Sequence, residues 1–166
     1  LKSRRAVSRQ PAPAPPAWEA SLDARGLRIG IVCARWNPTV TDAMLASALD
    51  ALREHGAGDG DVTVVRVPGA FELPAAARAL LRRRCDGLVV LAAVVRGETT
   101  HHEVLAHAVA GALAALSAET GVPIGFGVLT CDTMEQARRR VSKGAEAAEA
   151  AVEVANLRRA LARKKK

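Results

Sequence analysis

Residues 89–103 read VVLAAVVRGETTHHE. Val, Leu and Ala in a run without alternation predict a strand buried on both faces, and such a strand belongs to a parallel sheet. Arg96-Gly97-Glu98-Thr99-Thr100 then predicts a tight turn with a threonine helix cap, and His101 and His102 open a helical pattern. Free backbone N–H groups at a helix start attract anions. A histidine at the same place meets the positive end of the helix dipole, which favours its neutral, basic form. One short segment therefore predicts both an anion cradle and a general base.

Outward from this segment the chain alternates between strand and helix patterns. Strands are predicted at 27–34, 61–67, 86–95 and 124–130, and helices at 38–55, 72–83, 101–120, 133–140 and 144–162, with a break near Ser142. Gly56 and Gly121 close the first and third helices. This order predicts an α/β fold, a three-layer sandwich whose central four-stranded parallel sheet is flanked by helices, with right-handed crossovers. No internal repeat is visible. Residues 1–20 are rich in Pro and Ala and predict a disordered or extended basic leader. Residues 21–162 predict one α/β domain, and 163–166 a basic tail.

The net charge of +7 is concentrated at the ends: residues 1–20 carry +3 and residues 158–166 carry +6, which leaves the body at −2. A near-neutral body argues against a dedicated nucleic-acid site on the fold itself. Cys33, Cys85 and Cys131 are far apart, with no CxxC spacing, so reduced thiols in a cytoplasmic protein are expected. No apolar run reaches membrane-spanning length, and no apolar segment follows the basic N-terminal residues as in a secretory signal.

Ligands of such folds bind beyond the carboxyl ends of the strands. Those ends carry Arg35-Trp36-Asn37, Pro68-Gly69-Ala70-Phe71-Glu72, Arg96 to His101 and Thr130-Cys131-Asp132-Thr133. Two of the four aromatic residues, Trp36 and Phe71, sit just past strand ends, and Phe126 lies in the last strand. They either serve a ligand or plug the top of the sheet. Glu72 follows Phe71 at a helix start, where a carboxylate either suits the dipole or accepts from ligand hydroxyls. His102 and His107 are five apart, about 140° around a helix, and cannot chelate a metal from one face. No metal site is predicted, and no GxGxxG or P-loop follows any strand. Arg138, Arg139, Arg140 and Lys143 form a basic cluster that either complements the anion cradle or is a solvated helix face.

Several ordered blocks together resemble one family. They are Gly30-Ile31-Val32 through Asn37, Val65 to Pro74, Val95 to His101, Gly127 to Thr133 with Glu135-Gln136-Ala137, and Lys143-Gly144 followed by Ala155-Asn156-Leu157. They resemble the lumazine synthases over about residues 22–161. The resemblance implies a flavodoxin-like fold and a transferase of riboflavin biosynthesis. It condenses 5-amino-6-(D-ribitylamino)uracil with 3,4-dihydroxy-2-butanone 4-phosphate, eliminating phosphate and using no metal or organic cofactor. It places Trp36 against the pyrimidine ring, and Asn37, Ala70, Phe71, Glu72, Val94 and Val95 along the substrate pocket. Glu98 and Thr99 match the phosphate loop, Arg140 the phosphate-binding arginine and His101 the acid–base histidine, with Glu103 as an orienting carboxylate. Phe126, Arg140 and Lys143 would come from an adjacent subunit of a pentamer-based homo-oligomer, with riboflavin synthase as a candidate partner.

The chain departs from the family pattern at three places. Ala70 stands where some members carry serine, His102 replaces the usual aromatic, and the Arg140–Lys143 connection lacks a glycine-containing insert. The short connection lies near assembly surfaces and predicts a pentamer or a pair of pentamers rather than an icosahedral shell. Two other readings fit the same residues: a non-catalytic flavin- or lumazine-binding homologue, and a structural cage whose basic tails recruit acidic cargo.

Overall fold

A computed structural model describes residues 17–163 of the chain. The elements are β1 (Ile29–Ala34), α1 (Pro38–Glu54), β2 (Val62–Val67), α2 (Leu73–Leu81), β3 (Gly87–Val95), α3 (His101–Thr120), β4 (Ile124–Cys131), α4 (Met134–Arg138) and α5 (Lys143–Ala162). The strands form one sheet in the order β2-β1-β3-β4, and every neighbouring pair is parallel. Residues 1–16 of the expected leader and 164–166 of the expected tail lie outside the described residues.

Strand β3 explains why its sequence does not alternate. Val89, Leu91 and Ala93 share a core with α1 and α5, whereas Leu88, Val90, Ala92 and Val94 share a second core with α2 and α3. Side chains on a strand alternate between faces, so a strand with a helix layer on each side must be apolar throughout. Full burial of each Val or Leu side chain contributes about 1.5–3 kcal/mol, and β3 fixes the middle of the three layers. Helix α5 closes on the sheet through small residues. Ala147, Ala148, Ala151 and Ala155 are buried, and a Cβ on Gly125 of β4 would strike the Ala147 carbonyl.

The element ends differ from the expectations for local reasons. The expected second helix begins one residue later, because Ala70–Glu72 winds as a separate 3₁₀ turn. There the Gly69 N–H donates to the Glu72 carboxylate at 2.9 Å. Helix α4 is shorter than expected at both ends, and its cap is Thr133, whose hydroxyl accepts from the Gln136 N–H at 3.2 Å. Thr100 precedes α3 with φ −74° and ψ 5°, outside the extended conformation that turns a capping side chain back onto the helix. Its hydroxyl therefore caps nothing; the Thr99 hydroxyl instead accepts from the His101 N–H, at 3.4 Å.

The chain leaves β1 toward β2 on one side, then crosses to β3 and β4 on the other. The connections after β1 and β3 consequently diverge and open a crevice beyond the carboxyl ends of these two strands.

Candidate active site

That crevice holds a cavity of about 320 Å³. Ala34, Trp36 and Asn37 reach it from the end of β1, and Ala70 from the turn after β2. Ala92 to Val95, Gly97, Thr99, His101, His102 and Leu105 reach it from β3, its turn and α3. Trp36, Asn37, Ala70, Val94, Val95, Thr99 and His101 were all expected at the site, and the fold brings them together.

Asn37 shows how the sequence shapes this wall. Its backbone is left-handed, with φ 58°, a conformation that Asn adopts more readily than other non-glycine residues. Pro38 follows with its fixed φ and starts α1. The Asn37 side chain does not cap α1. It crosses to β3 and donates from Nδ2 to the Ala93 carbonyl at 2.8 Å, tying the two walls together. Trp36 is thereby presented outward and is 77% exposed, while Phe71 is 69% exposed. Rings so exposed do not plug the sheet; they offer faces for stacking.

The opposite wall is the turn from Arg96 to Thr100. No hydrogen bond engages the N–H groups of Thr100 or His102 among the described residues. Both therefore remain available to an anion at the start of a 20-residue helix. His101 is exposed and lines the cavity beside Thr99. Here unengaged backbone N–H groups and an exposed imidazole border one space, next to an exposed indole.

Other expected site residues stand apart within the single subunit. Glu98 is exposed and does not line the cavity, and Glu72 is occupied in part by the Gly69 N–H. Glu103 does not reach His101. Two helical steps turn a side chain by about 200°, and its carboxylate lies 3.8 Å from His102 Nε2 instead. Phe126 does not line this cavity and lies in an apolar groove with Ala110, Leu113, Ala114 and Ile124. Arg140 lines a separate depression with Glu135, Gln136 and Arg139, and donates from Nη1 to the Gln136 carbonyl at 3.0 Å. It has no carboxylate partner among the described residues, unlike Lys143, which is paired with Glu146 on its own helix.

Ala34, Ala92, Ala93, Gly97, His102 and Leu105 also line the cavity and were not among the expected site residues. His102 and Leu105 both face the cavity, and their spacing of three residues along α3 is the signal that would have found them.

The three cysteines are free thiols. Burial pushes the Cys33 thiol up to about 11 and raises that of Cys85, so neither is a poised nucleophile. Among the described residues no group of three His, Cys, Asp or Glu side chains is placed to hold a metal ion, and no helix is long and apolar enough to cross a membrane.

Comparison with known proteins gives a consistent result. The family model described as 6,7-dimethyl-8-ribityllumazine synthase matches residues 26–159. The 6,7-dimethyl-8-ribityllumazine synthase of Anaeromyxobacter dehalogenans (strain 2CP-C) is 49% identical over 152 residues, covering 88% of this chain and 94% of that protein. The protein of the same name from Anaeromyxobacter sp. (strain Fw109-5) is 48% identical over 152 residues, covering 88% and 93% respectively.

Proposed function

The chain belongs to the 6,7-dimethyl-8-ribityllumazine synthase family, and from that membership we propose how its residues divide the work. The activity is synthesis of 6,7-dimethyl-8-ribityllumazine in riboflavin biosynthesis, a transferase reaction. In our reading the ribitylamino-pyrimidine stacks on Trp36, with Asn37, Ala70, Phe71, Glu72, Val94 and Val95 around it. The phosphate of the butanone lies on the turn at Glu98-Thr99 and the start of α3. The amine attacks the ketone and water leaves, giving an imine. Phosphate then departs, and the second nitrogen closes the ring with loss of another water.

Each stage moves a proton, and His101 carries it between the reacting atoms. General acid–base help of this kind contributes roughly a hundredfold to ten-thousandfold. The backbone anion site stabilises the charge that builds on the departing phosphate. Glu103 has no part in holding His101 in this assignment, because it faces His102.

Arg140, Lys143 and Phe126 act on the pocket of a neighbouring subunit, in a pentamer-based homo-oligomer in the cytoplasm. The exposed guanidinium of Arg140, without a carboxylate partner among the described residues, supports its role as the charge that completes the phosphate site. The Lys143–Glu146 pair must open for Lys143 to do the same.

The observation that carries this reading is the convergence of Trp36, Asn37, Ala70, Thr99 and His101 on one cavity where the strand order reverses. The test is formation of the lumazine chromophore from the two substrates, followed by absorbance on an assembly whose mass is measured natively. Binding of the product without turnover would replace the enzyme reading with the non-catalytic one.

A further inference from the structure

His102 is not used by the chemistry above, yet it is the most deeply set side chain of the turn it adjoins. Its side chain is only 14% exposed, and its ring lies between the main cavity and a second one of about 260 Å³. Its Nδ1 is 3.1 Å from the Thr99 carbonyl oxygen. A carbonyl only accepts, so Nδ1 carries the proton and donates. The Nε2 atom looks toward the Glu103 carboxylate at 3.8 Å, beyond hydrogen-bonding distance.

The Thr99 peptide is planar and trans, so its carbonyl and the N–H of Thr100 point in opposite directions. Holding the carbonyl toward His102 turns that N–H away from the ring. The Thr99 hydroxyl is held as well, by the His101 N–H at 3.4 Å. Thr99 is thus tied through its carbonyl to one histidine and through its hydroxyl to the backbone of the other. Among the described residues, no other side chain bonds the backbone of the 97–100 turn.

We propose that His102 is a positioning residue of the phosphate site: its Nδ1–H donates to the Thr99 carbonyl and so orients the turn whose N–H groups receive the phosphate. The inference rests on the assignment of that turn under the proposed function. An aromatic hydrocarbon at this position would fill the same space but leave the Thr99 peptide free to rotate. The role is therefore one of preorganisation, set by a single ring nitrogen.

The nitrogen can be tested by isosteres. In His102→Asn the amide nitrogen sits where Nδ1 was and keeps the donor. In His102→Gln the amide lies farther out, near the position of Nε2, and in His102→Phe there is no donor. Steady-state kinetics are read for each substrate, with inorganic phosphate as a competitive probe that needs no chemistry. Losing one neutral hydrogen bond corresponds to about a tenfold change at most. His102→Phe and His102→Gln are expected to raise both the KM for the butanone phosphate and the inhibition constant of phosphate by about that factor. The KM for the pyrimidine should stay within about twofold, and His102→Asn should restore phosphate affinity to within about threefold of wild type. Native mass and far-UV circular dichroism accompany each variant. Should His102→Phe fail to assemble, the Asn–Gln pair carries the comparison alone. Equal behaviour of Asn and Gln, or equal weakening of both substrates, overturns the proposal. An inactive wild type would instead overturn the functional assignment on which it rests.

Discussion

His101 and Arg140 are both exposed, yet the functional assignment gives them different substrates and steps. His101→Ala removes the proton carrier and should lower turnover by roughly tenfold to a thousandfold, with smaller changes in either KM. Arg140→Ala removes a charge-assisted contact to phosphate and should cost on the order of 2–4 kcal/mol. That loss should fall on the butanone phosphate and leave the pyrimidine nearly unaffected. Steady-state kinetics with each substrate varied in turn distinguishes the two, and a His101→Ala enzyme with near-normal turnover would remove the histidine from the mechanism. Cys33 gives a pH prediction far from the site. Burial holds its thiol at about 11 in the fold against an ordinary 9.0. The folded protein therefore resists ionisation that the unfolded chain accepts. Stability from this group is complete below pH 9 and declines as pH rises toward 11. Denaturant midpoints measured across that window should fall more steeply for the wild type than for Cys33→Ala. Parallel curves would show that Cys33 is not held protonated.

At the scale of elements, the same stretch that identifies β3 also shows how far a sequence can be read. Residues 89–95 are apolar because both faces are covered, and that pattern needs no knowledge of the partners. Most of the cavity wall was legible for a related reason: Trp36, Asn37, Thr99 and His101 follow strand ends directly, so topology alone gathers them. Glu103 was not, because its bearing depends on the phase of α3, and two residues from His101 is the opposite side. The ends of α2 and α4 were equally hidden, since single bonds set them, from Gly69 N–H to Glu72 and from Gln136 N–H to Thr133. The close seating of α5 on the sheet carries a prediction. Gly125→Val would place side-chain atoms against the Ala147 backbone carbonyl, which cannot rotate away as a side chain would. The helix must shift, at a cost of about 3 kcal/mol. Gly111→Ala in α3, where a Cβ meets nothing within 4 Å, should be neutral or stabilise by up to about 1 kcal/mol. Urea unfolding of the two variants measures the contrast, and a Gly125→Val protein as stable as wild type would mean α5 packs less tightly than described.

At the scale of the whole molecule, the single subunit carries the cavity beyond the β1 and β3 ends and, away from it, the residues expected to finish it. Phe126 is 49% exposed in an apolar groove beside α3, and Val104 is 66% exposed on the same helix. Apolar surface in this arrangement suits burial against another copy of the chain. If the pocket is shared, His101 and Arg140 of one functional site belong to different chains. The two single variants, each slowed at sub-saturating butanone phosphate, should then complement each other. When His101→Ala and Arg140→Ala subunits are unfolded, mixed equally and reassembled at random, about a quarter of the sites pair an intact His101 with an intact Arg140. The rate at low butanone phosphate should rise to about that fraction of wild type, while each variant reassembled alone stays below it. A site contained within one chain gives no recovery, since every chain then carries a lesion. Native mass of the same samples reports the assembly. The short Arg140–Lys143 connection predicts a pentamer or a pair of pentamers, and a larger shell would refute that inference while leaving the shared site intact. A fully active monomer would refute both.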